Sequence, residues 1–168
     1  MHRLIAFTWF LFGSCFGQIT EDQKNLLLKF HNDFRTKLKE CNLEGQPPVN
    51  GTMPLLQWHD GLAEKAKEWA VQCKLGHDTN EARKIPDFEN VGQNFAAGFD
   101  IPSSIQLWAD EYKYYTLSTN ECQAGKVCGH YTQLVWQETT HVGCSVTDCS
   151  GTPNYAYKLN IVCNYGPR

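Results

Sequence analysis

The sequence predicts an α+β domain, with helices in the first two-thirds of the chain and short strands in the last third. Three segments before residue 121 repeat apolar residues at the spacing of amphipathic helices. After Cys122 the period changes to two, in the runs HYTQLVW, HVGCSV and YAYKLNIVC, which turn residues such as Ser150-Gly151 and Pro153 separate. Helices followed by an antiparallel meander indicate the α+β class.

Residues 1–17 have the pattern of a secretory signal peptide. His2 and Arg3 precede an apolar run from Leu4 to Phe12, and small residues follow before Gln18. That run is too short to span a bilayer, and no later segment contains 18 consecutive apolar residues. The alternative is a buried N-terminal helix. We expect a secreted protein without a transmembrane segment, in which residues 18–168 form one domain.

The first helix is predicted from Glu21 to Lys39. Thr20 suits the N-cap position, and acidic residues follow it in the first turn. The apolar residues that recur at helical spacing are Leu27, Phe30, Phe34 and Leu38. The next segment, CNLEGQPPVNGTMP, is predicted to be a loop because of its prolines and glycines. Its Asn50-Gly51-Thr52 sequon makes Asn50 a predicted glycosylation site.

Two further helices are predicted. One runs from Asp60 to Cys73, after a strand or turn in LLQW, and the polar segment HDTNEARKIPDFEN behind it is predicted to be a long loop. The other opens at Pro102 and Ser103. Its apolar face consists of Ile105, Trp108 and Tyr112.

Seven of the eight cysteines follow the signal peptide, which contains Cys15. In an oxidising compartment six would form disulfides and one would remain. Their spacings lack the paired CxxC pattern of a structural zinc site. The formal net charge is −3, and loss of Arg3 makes it one unit more negative. A mildly acidic chain without a basic run argues against nucleic acid and against anionic membranes as partners.

Four polar residues are candidates for a functional site: His77, Gln93, Glu111 and His130. Imidazoles and carboxylates can share protons as general acid and base, or hold a divalent cation. Each also has a structural interpretation, with His77 in a loop, Glu111 on an exposed helix position and His130 at the start of a strand. Spacing alone does not bring them together.

The motifs GHYTQLVWQET and NIVCNYGP resemble the two signatures of the CAP superfamily. LLKFHNDFR, LWADEYKYY and NECQAGKVCGHYTQLVW extend the resemblance from about Thr20 to Pro167. This superfamily includes cysteine-rich secretory proteins, insect antigen 5 allergens and plant pathogenesis-related proteins, and the chain looks most like the venom-allergen-like secreted proteins of parasitic worms. The resemblance implies an αβα sandwich with a central antiparallel sheet, the CAP (SCP-like) fold.

The resemblance also implies that two histidines and two acidic residues meet in one open cleft. His77, His130 and Glu111 match three of these positions, but Gln93 replaces the fourth, the Glu of the family's GEN motif. An amide lacks the charge and basicity of a carboxylate. We therefore expect no required cofactor, a divalent cation held only weakly by His77 and His130, and no catalysis. A metal-dependent hydrolase that uses this cleft is the alternative.

The disulfide pairing implied by the resemblance uses six cysteines and leaves Cys41 without a counterpart. The pairs are Cys73–Cys149, Cys122–Cys128 and Cys144–Cys163. Cys41 is then a free surface thiol or forms an intermolecular bridge.

Members of the superfamily are associated with sterols and fatty acids, which implies lipid binding here. The predicted contacts are Leu27, Phe30 and Phe34 on the first helix, Ile105, Trp108 and Tyr112 on the third, and Tyr114 and Tyr115 near the sterol loop. Alternatively the helical residues fill the core, and the tyrosines cap the helix. We expect an extracellular protein that carries or sequesters a lipid at a host interface; the alternative is an immunomodulatory ligand of a host or cell-surface protein.

Overall fold

The computed structural model describes residues 19–47, 49 and 51–168. The predicted signal peptide and Asn50 lie outside the described residues. The elements in chain order are α1 (Glu21–Lys39), β1 (Gln57–Trp58), α2 (Asp60–Ala70), β2 (Gly92–Gly98), α3 (Ile101–Asp110), a 3₁₀ turn (Glu111–Tyr114), β3 (Tyr115–Thr116), β4 (Glu121–Cys122), α4 (Gly129–Leu134), β5 (His141–Asp148) and β6 (Leu159–Gly166). In this part of the chain no helix is both long and apolar enough to cross a membrane.

The fold has three layers, which confirms the predicted αβα sandwich. The central sheet has the order β1-β5-β6-β2, and α2 covers one of its faces. Gly143 of β5 allows this close approach, since a Cβ there would lie 2.2 Å from the backbone nitrogen of Ala63. The opposite face packs against α1, α3 and α4 in a core that contains Val142, Ile161 and Tyr165.

The first helix has the predicted bounds because its start is capped locally. The Gln23 N–H donates to the Thr20 hydroxyl oxygen at 3.2 Å, and the Thr20 N–H donates to the Gln23 side chain at 3.0 Å, which forms a capping box. Leu27 on its inner face is fully buried. Caps and an apolar stripe are local signals, so the sequence is sufficient to find them.

The segment HYTQLVW is a helix, so the prediction of a central strand there is wrong. Its aromatic and β-branched residues favour strands locally, but a tertiary contact decides the conformation. The Glu111 carboxylate accepts the backbone N–H groups of His130 at 2.9 Å and Tyr131 at 3.1 Å. These two donors would have no partner within the first turn of α4.

Three other sequence predictions need correction. The second helix ends at Ala70 rather than Cys73, because the chain turns there and Cys73 has a φ of 50°. The third helix ends at Asp110, so Glu111 begins the 3₁₀ turn. The sheet is not wholly antiparallel, since β1 pairs parallel with β5. In addition, the strand β2 was not predicted, because its segment GQNFAAG begins and ends with glycine.

Three disulfides form with the pairing that the resemblance implied. They join the segment after α2 to the residue after β5, close the loop before α4, and link β5 to β6 at directly paired positions: Cys73–Cys149, Cys122–Cys128 and Cys144–Cys163. The first spans 76 residues and on the chain-entropy estimate contributes about 4 kcal/mol. Cys41 is free and exposed at the end of α1.

Candidate functional site

The short helix α4 separates two cavities of opposite chemistry. The first, the polar cleft, is lined by His77, Asp78, Arg83, Gln93, His130 and Gln133 and has a volume of about 450 Å³. The second, the apolar cavity, is lined by Leu38, Val49, Met53, Tyr115, Tyr131, Val135 and Trp136 and has a volume of about 560 Å³. Because adjacent residues of a helix point to different sides, His130 faces one cavity and Tyr131 the other.

His130 is held in the polar cleft by Glu111 and by an aromatic ring. Its Nδ1–H donates to the Glu111 carboxylate at 2.6 Å, which leaves Nε2 as the ring nitrogen without a hydrogen bond among the described residues. The imidazole stacks on the Trp108 ring, with centroids 6.1 Å apart and planes 14° apart. Trp108 is fixed in turn, because its indole N–H donates to the Phe95 carbonyl at 3.0 Å.

His77 is held by the residue that departs from the family pattern. Its Nδ1–H donates to the Gln93 side-chain oxygen at 2.8 Å. The amide nitrogen of Gln93 donates to Asp78 at 3.0 Å and to Asn164 at 2.9 Å, so the surrounding hydrogen bonds fix the orientation of the amide. The Asp78 side chain is buried and pairs with Arg83 at 2.8 Å.

The Asp78 carboxylate gives a physical reason for glutamine at position 93. The Gln93 amide both accepts from His77 and donates to Asp78, whereas an ionised glutamate would place two carboxylates about 3 Å apart in this site. Glutamine here is therefore part of a satisfied hydrogen-bond network. The sequence shows the replacement, but the spatial partner, Asp78, is visible only in the fold.

The four sequence-predicted residues do come together, although not as four metal ligands. His77, Gln93 and His130 line the polar cleft, and Glu111 lies behind His130. Both imidazoles use Nδ1 for a fixed acceptor, which is the arrangement that orients histidine ligands of metals. Within the described residues, however, no group of three His, Cys, Asp or Glu side chains is placed to hold a metal ion. The cleft therefore offers two nitrogen ligands to a cation, Nε2 of His77 and Nε2 of His130.

A buried series of hydrogen-bonded side chains lies below the cleft and was not predicted from the sequence. His31 on α1 is fully buried, and its Nδ1–H donates to the Leu27 carbonyl at 2.7 Å. Its Nε2 accepts from the Tyr165 hydroxyl at 2.8 Å, and burial lowers the pKa of His31 to about 4. Tyr165 also contacts Asn94, whose amide donates to the His130 carbonyl at 3.1 Å. This series of hydrogen bonds therefore connects α1 to α4.

Arg35 fixes the wall that α4 shares with the apolar cavity. It is 1% exposed, and its guanidinium donates to four backbone carbonyls, those of Pro54, Leu134, Trp136 and Thr139. Burial lowers its pKa to about 10. His31 lies four residues after Leu27 and Arg35 eight residues after it, so both lie on the apolar stripe of α1. A polar residue on such a stripe is the sequence signal that could have identified them.

Polar groups that line the apolar cavity mostly bind one another. The Tyr131 hydroxyl donates to Gln46 at 2.9 Å, and Gln46 donates to the carbonyls of Tyr112 and Tyr115, both at 3.1 Å. The Tyr115 hydroxyl donates to Asn120 at 2.6 Å. Burial raises the pKa of Tyr131 well above its ordinary value. The cavity therefore presents mainly aromatic and aliphatic surface.

The residues predicted to contact lipid are divided among four places. Leu27, Ile105 and Trp108 lie in the main core and are at most 2% exposed. Phe30, Phe34 and Tyr112 line a groove between α1 and the end of α3 that also contains charged residues such as Lys37 and Asp110. Tyr115 lines the apolar cavity, whereas Tyr114 ends the 3₁₀ turn outside that cavity, with the Lys126 ammonium 4.6 Å from its ring centroid.

Several proteins of known sequence are similar to the chain. Venom allergen 5 of Vespula vidua is 38% identical over 162 residues, which cover 89% of this chain and 76% of that protein. Peptidase inhibitor 16 of Bos taurus is 34% identical over 154 residues, 90% of this chain. The matched region spans only 31% of the length of that second relative.

Solved structures show the same fold. Schistosoma mansoni venom allergen-like protein 4 superposes with a TM-score of 0.77 at 35% identity, with 88% of each chain covered. NaASP2 with Zn²⁺ superposes with a TM-score of 0.69 at 25% identity, over 88% of this chain and 80% of that one. The family described as "CAP: Cysteine-rich secretory protein family" matches residues 28–165. The chain therefore belongs to the CAP family, as the signature motifs indicated.

Proposed function

We propose that the protein is a secreted CAP-domain protein that binds a hydrophobic ligand, a sterol or a fatty acid, in the apolar cavity. The observation that carries this proposal is the cavity itself, formed by the end of α1, by Gln46, Val49 and Met53, by the β3–β4 hairpin and by α4. Its volume of about 560 Å³ lies within the range of small-molecule sites. Three disulfides support extracellular function, since such bonds persist in oxidising compartments.

The energetics favour an apolar occupant. Each methylene that leaves water contributes about 0.8 kcal/mol, so eight of them contribute about 6 kcal/mol before the cost of immobilising the ligand. The aromatic groups of Tyr115 and Tyr131 supply rigid surface for a ring or chain, while their hydroxyls are already hydrogen-bonded. This cavity lies between the end of α1 and α4. Leu27, Ile105 and Trp108, three of the predicted lipid contacts on α1 and α3, lie in the core instead.

A matched pair of valine substitutions tests the proposal. Val135 is half-buried in the wall of the apolar cavity, and Val127 is 60% exposed at the polar cleft. We expect Val135→Phe to fill the cavity and weaken binding of radiolabelled cholesterol or palmitate at least ~10-fold, since it displaces buried ligand surface. Val127→Phe is the control and keeps wild-type affinity. Equal affinities for the two variants, or no binding by the wild-type protein, would refute the proposal.

We also propose that the polar cleft holds a divalent cation weakly and does not act as a catalytic centre. The supporting observation is that, among the described residues, Nε2 of His77 and of His130 has no hydrogen bond while Nδ1 of each is fixed. A cation bound there would supply Lewis acidity. Titration with Zn²⁺ by calorimetry should show weak binding that His77→Ala and His130→Ala each remove. Binding that survives both substitutions would contradict this assignment.

A further inference from the structure

We infer that the apolar cavity prefers amphiphiles with a cationic ammonium headgroup over those with a carboxylate. The inference rests on the proposed function and specifies the class of ligand at that same site. It follows from three properties of the cavity: the sign of its charge, its aromatic rings, and the fact that most of its hydrogen-bond donors already bind acceptors of the protein.

The charge of the cavity comes from one carboxylate. Glu138 is the only acidic residue in the described lining, and no lysine, arginine or histidine is present there. Glu138 is exposed and has neither an ion pair nor a hydrogen bond within the described part of the chain. An unpaired carboxylate at the mouth attracts an ammonium group and repels a ligand carboxylate.

Aromatic rings extend the same preference into the cavity. Tyr115 and Tyr131 have ring centroids 5.6 Å apart, and Trp136, which is 44% exposed, lies in the same lining two residues before Glu138. The negative faces of aromatic rings attract cations, most strongly for tryptophan, and aromatic lining is how proteins recognise quaternary ammonium groups. A neutral headgroup gains less from these rings, and an anionic one is disfavoured.

A carboxylate that entered the cavity would find few donors, although the Asn120 amide nitrogen, which makes no hydrogen bond within the described residues, is an exception. Both side-chain N–H groups of Gln46 are directed at backbone carbonyls, at 3.1 Å each. The hydroxyls of Tyr115 and Tyr131 already donate to side-chain oxygens, and that of Thr132 donates to the Gly129 carbonyl at 3.1 Å. Because a desolvated carboxylate needs such donors, its transfer from water is costly. The cavity therefore suits a cationic ammonium group best, a neutral headgroup less well and a carboxylate least.

The test compares three probes with the same twelve-carbon chain: dodecyltrimethylammonium, 1-dodecanol and dodecanoate. Calorimetry at pH 7.4, below the micelle concentrations, measures Kd for each with the full mature protein. We expect the ammonium probe to bind ~5–10-fold more tightly than dodecanol, and dodecanoate more weakly than dodecanol, which matches cation–π and surface-charge effects. Glu138→Gln should reduce the preference for the ammonium probe ~3–5-fold. Glu121→Gln, the same charge change outside the cavity, should leave it unchanged.

The outcomes separate the inference from the proposed function. If dodecanoate binds as tightly as dodecyltrimethylammonium, or if Glu121→Gln and Glu138→Gln have equal effects, the inference is wrong while the cavity remains a lipid site. If none of the three probes binds, and cholesterol and palmitate also fail, the proposed function itself is wrong. Trp136→Leu gives a second measurement, since it should lower the affinity for the ammonium probe more than that for dodecanol.

Discussion

The two sides of α4 differ in how each satisfies its polar groups. At the polar cleft, side chains from separate segments bind one another, as His77, Gln93 and Asp78 do, and two imidazole nitrogens have no hydrogen bond within the described part of the chain. On the apolar cavity, hydroxyls and amides are paired so that rings and aliphatic groups remain. One carboxylate, Glu111, supports both sides because it accepts from His130 and from Tyr131. A six-residue helix thus separates the polar cleft from the apolar cavity.

The largest expected effect comes from removal of the Arg35 side chain. Arg35→Met removes four hydrogen bonds to backbone carbonyls, and three of these carbonyls belong to the segment from Leu134 to Thr139 beside the apolar cavity. We expect a loss of about 4 kcal/mol in the free energy of unfolding, as for a broken buried charge network. Urea denaturation measures it. A loss below about 1 kcal/mol would show that these hydrogen bonds contribute little.

The next largest effect is a pH dependence of the free energy of unfolding, caused by the buried His31 below the cleft. His31 has a pKa of about 4 in the folded protein and an ordinary value of 6.5. The unfolded chain therefore binds a proton first, so stability falls as the pH drops from about 6.5 to about 4 and then levels off, by about 3 kcal/mol in total. Urea denaturation of wild type and His31→Gln across this range measures the difference. Parallel pH profiles for the two proteins would contradict the assignment to His31.

Loss of the shared carboxylate tests whether the two sides are coupled. Glu111→Ala removes three hydrogen bonds at the start of α4, two of them to backbone N–H groups. We expect a loss of about 2 kcal/mol in stability, together with weaker binding at both the cleft and the cavity. Denaturation and calorimetry with Zn²⁺ and cholesterol measure these effects. If only cleft binding changes, α4 does not couple the two sites.

The smallest effect comes from restoring the family's acidic residue. Gln93→Glu places a second carboxylate beside Asp78, which should lower stability by about 1–2 kcal/mol at pH 7 and less at acidic pH, where one carboxyl is protonated. Gln93→Met is the matched uncharged control. Thermal unfolding at two pH values measures the difference. A more stable Gln93→Glu protein would mean that the Asp78 network does not select glutamine.

The sequence was sufficient where local signals decide the structure. The bounds of α1 follow from the Thr20 cap and its apolar stripe, and the cleft residues and disulfides follow from motifs that resemble the CAP family. It was insufficient where a distant group decides. Glu111 makes a helix of a segment with strand character, and Asp78 explains Gln93 only once the chain has folded. The apolar cavity was also not predicted, because its wall joins four separate segments.

The most direct test of ligand binding in the apolar cavity uses the indole N–H signals of residues 18–168 in ¹H–¹⁵N NMR spectra. Trp136 lies in the lining of the apolar cavity, Trp108 stacks on His130, and Trp58 and Trp69 lie elsewhere. During titration with a soluble sterol or dodecyltrimethylammonium, we expect the Trp136 signal to shift with saturation while Trp58 and Trp69 stay unchanged. Saturating shifts at Trp58 or Trp69 with a fixed Trp136 signal would contradict ligand binding in the apolar cavity.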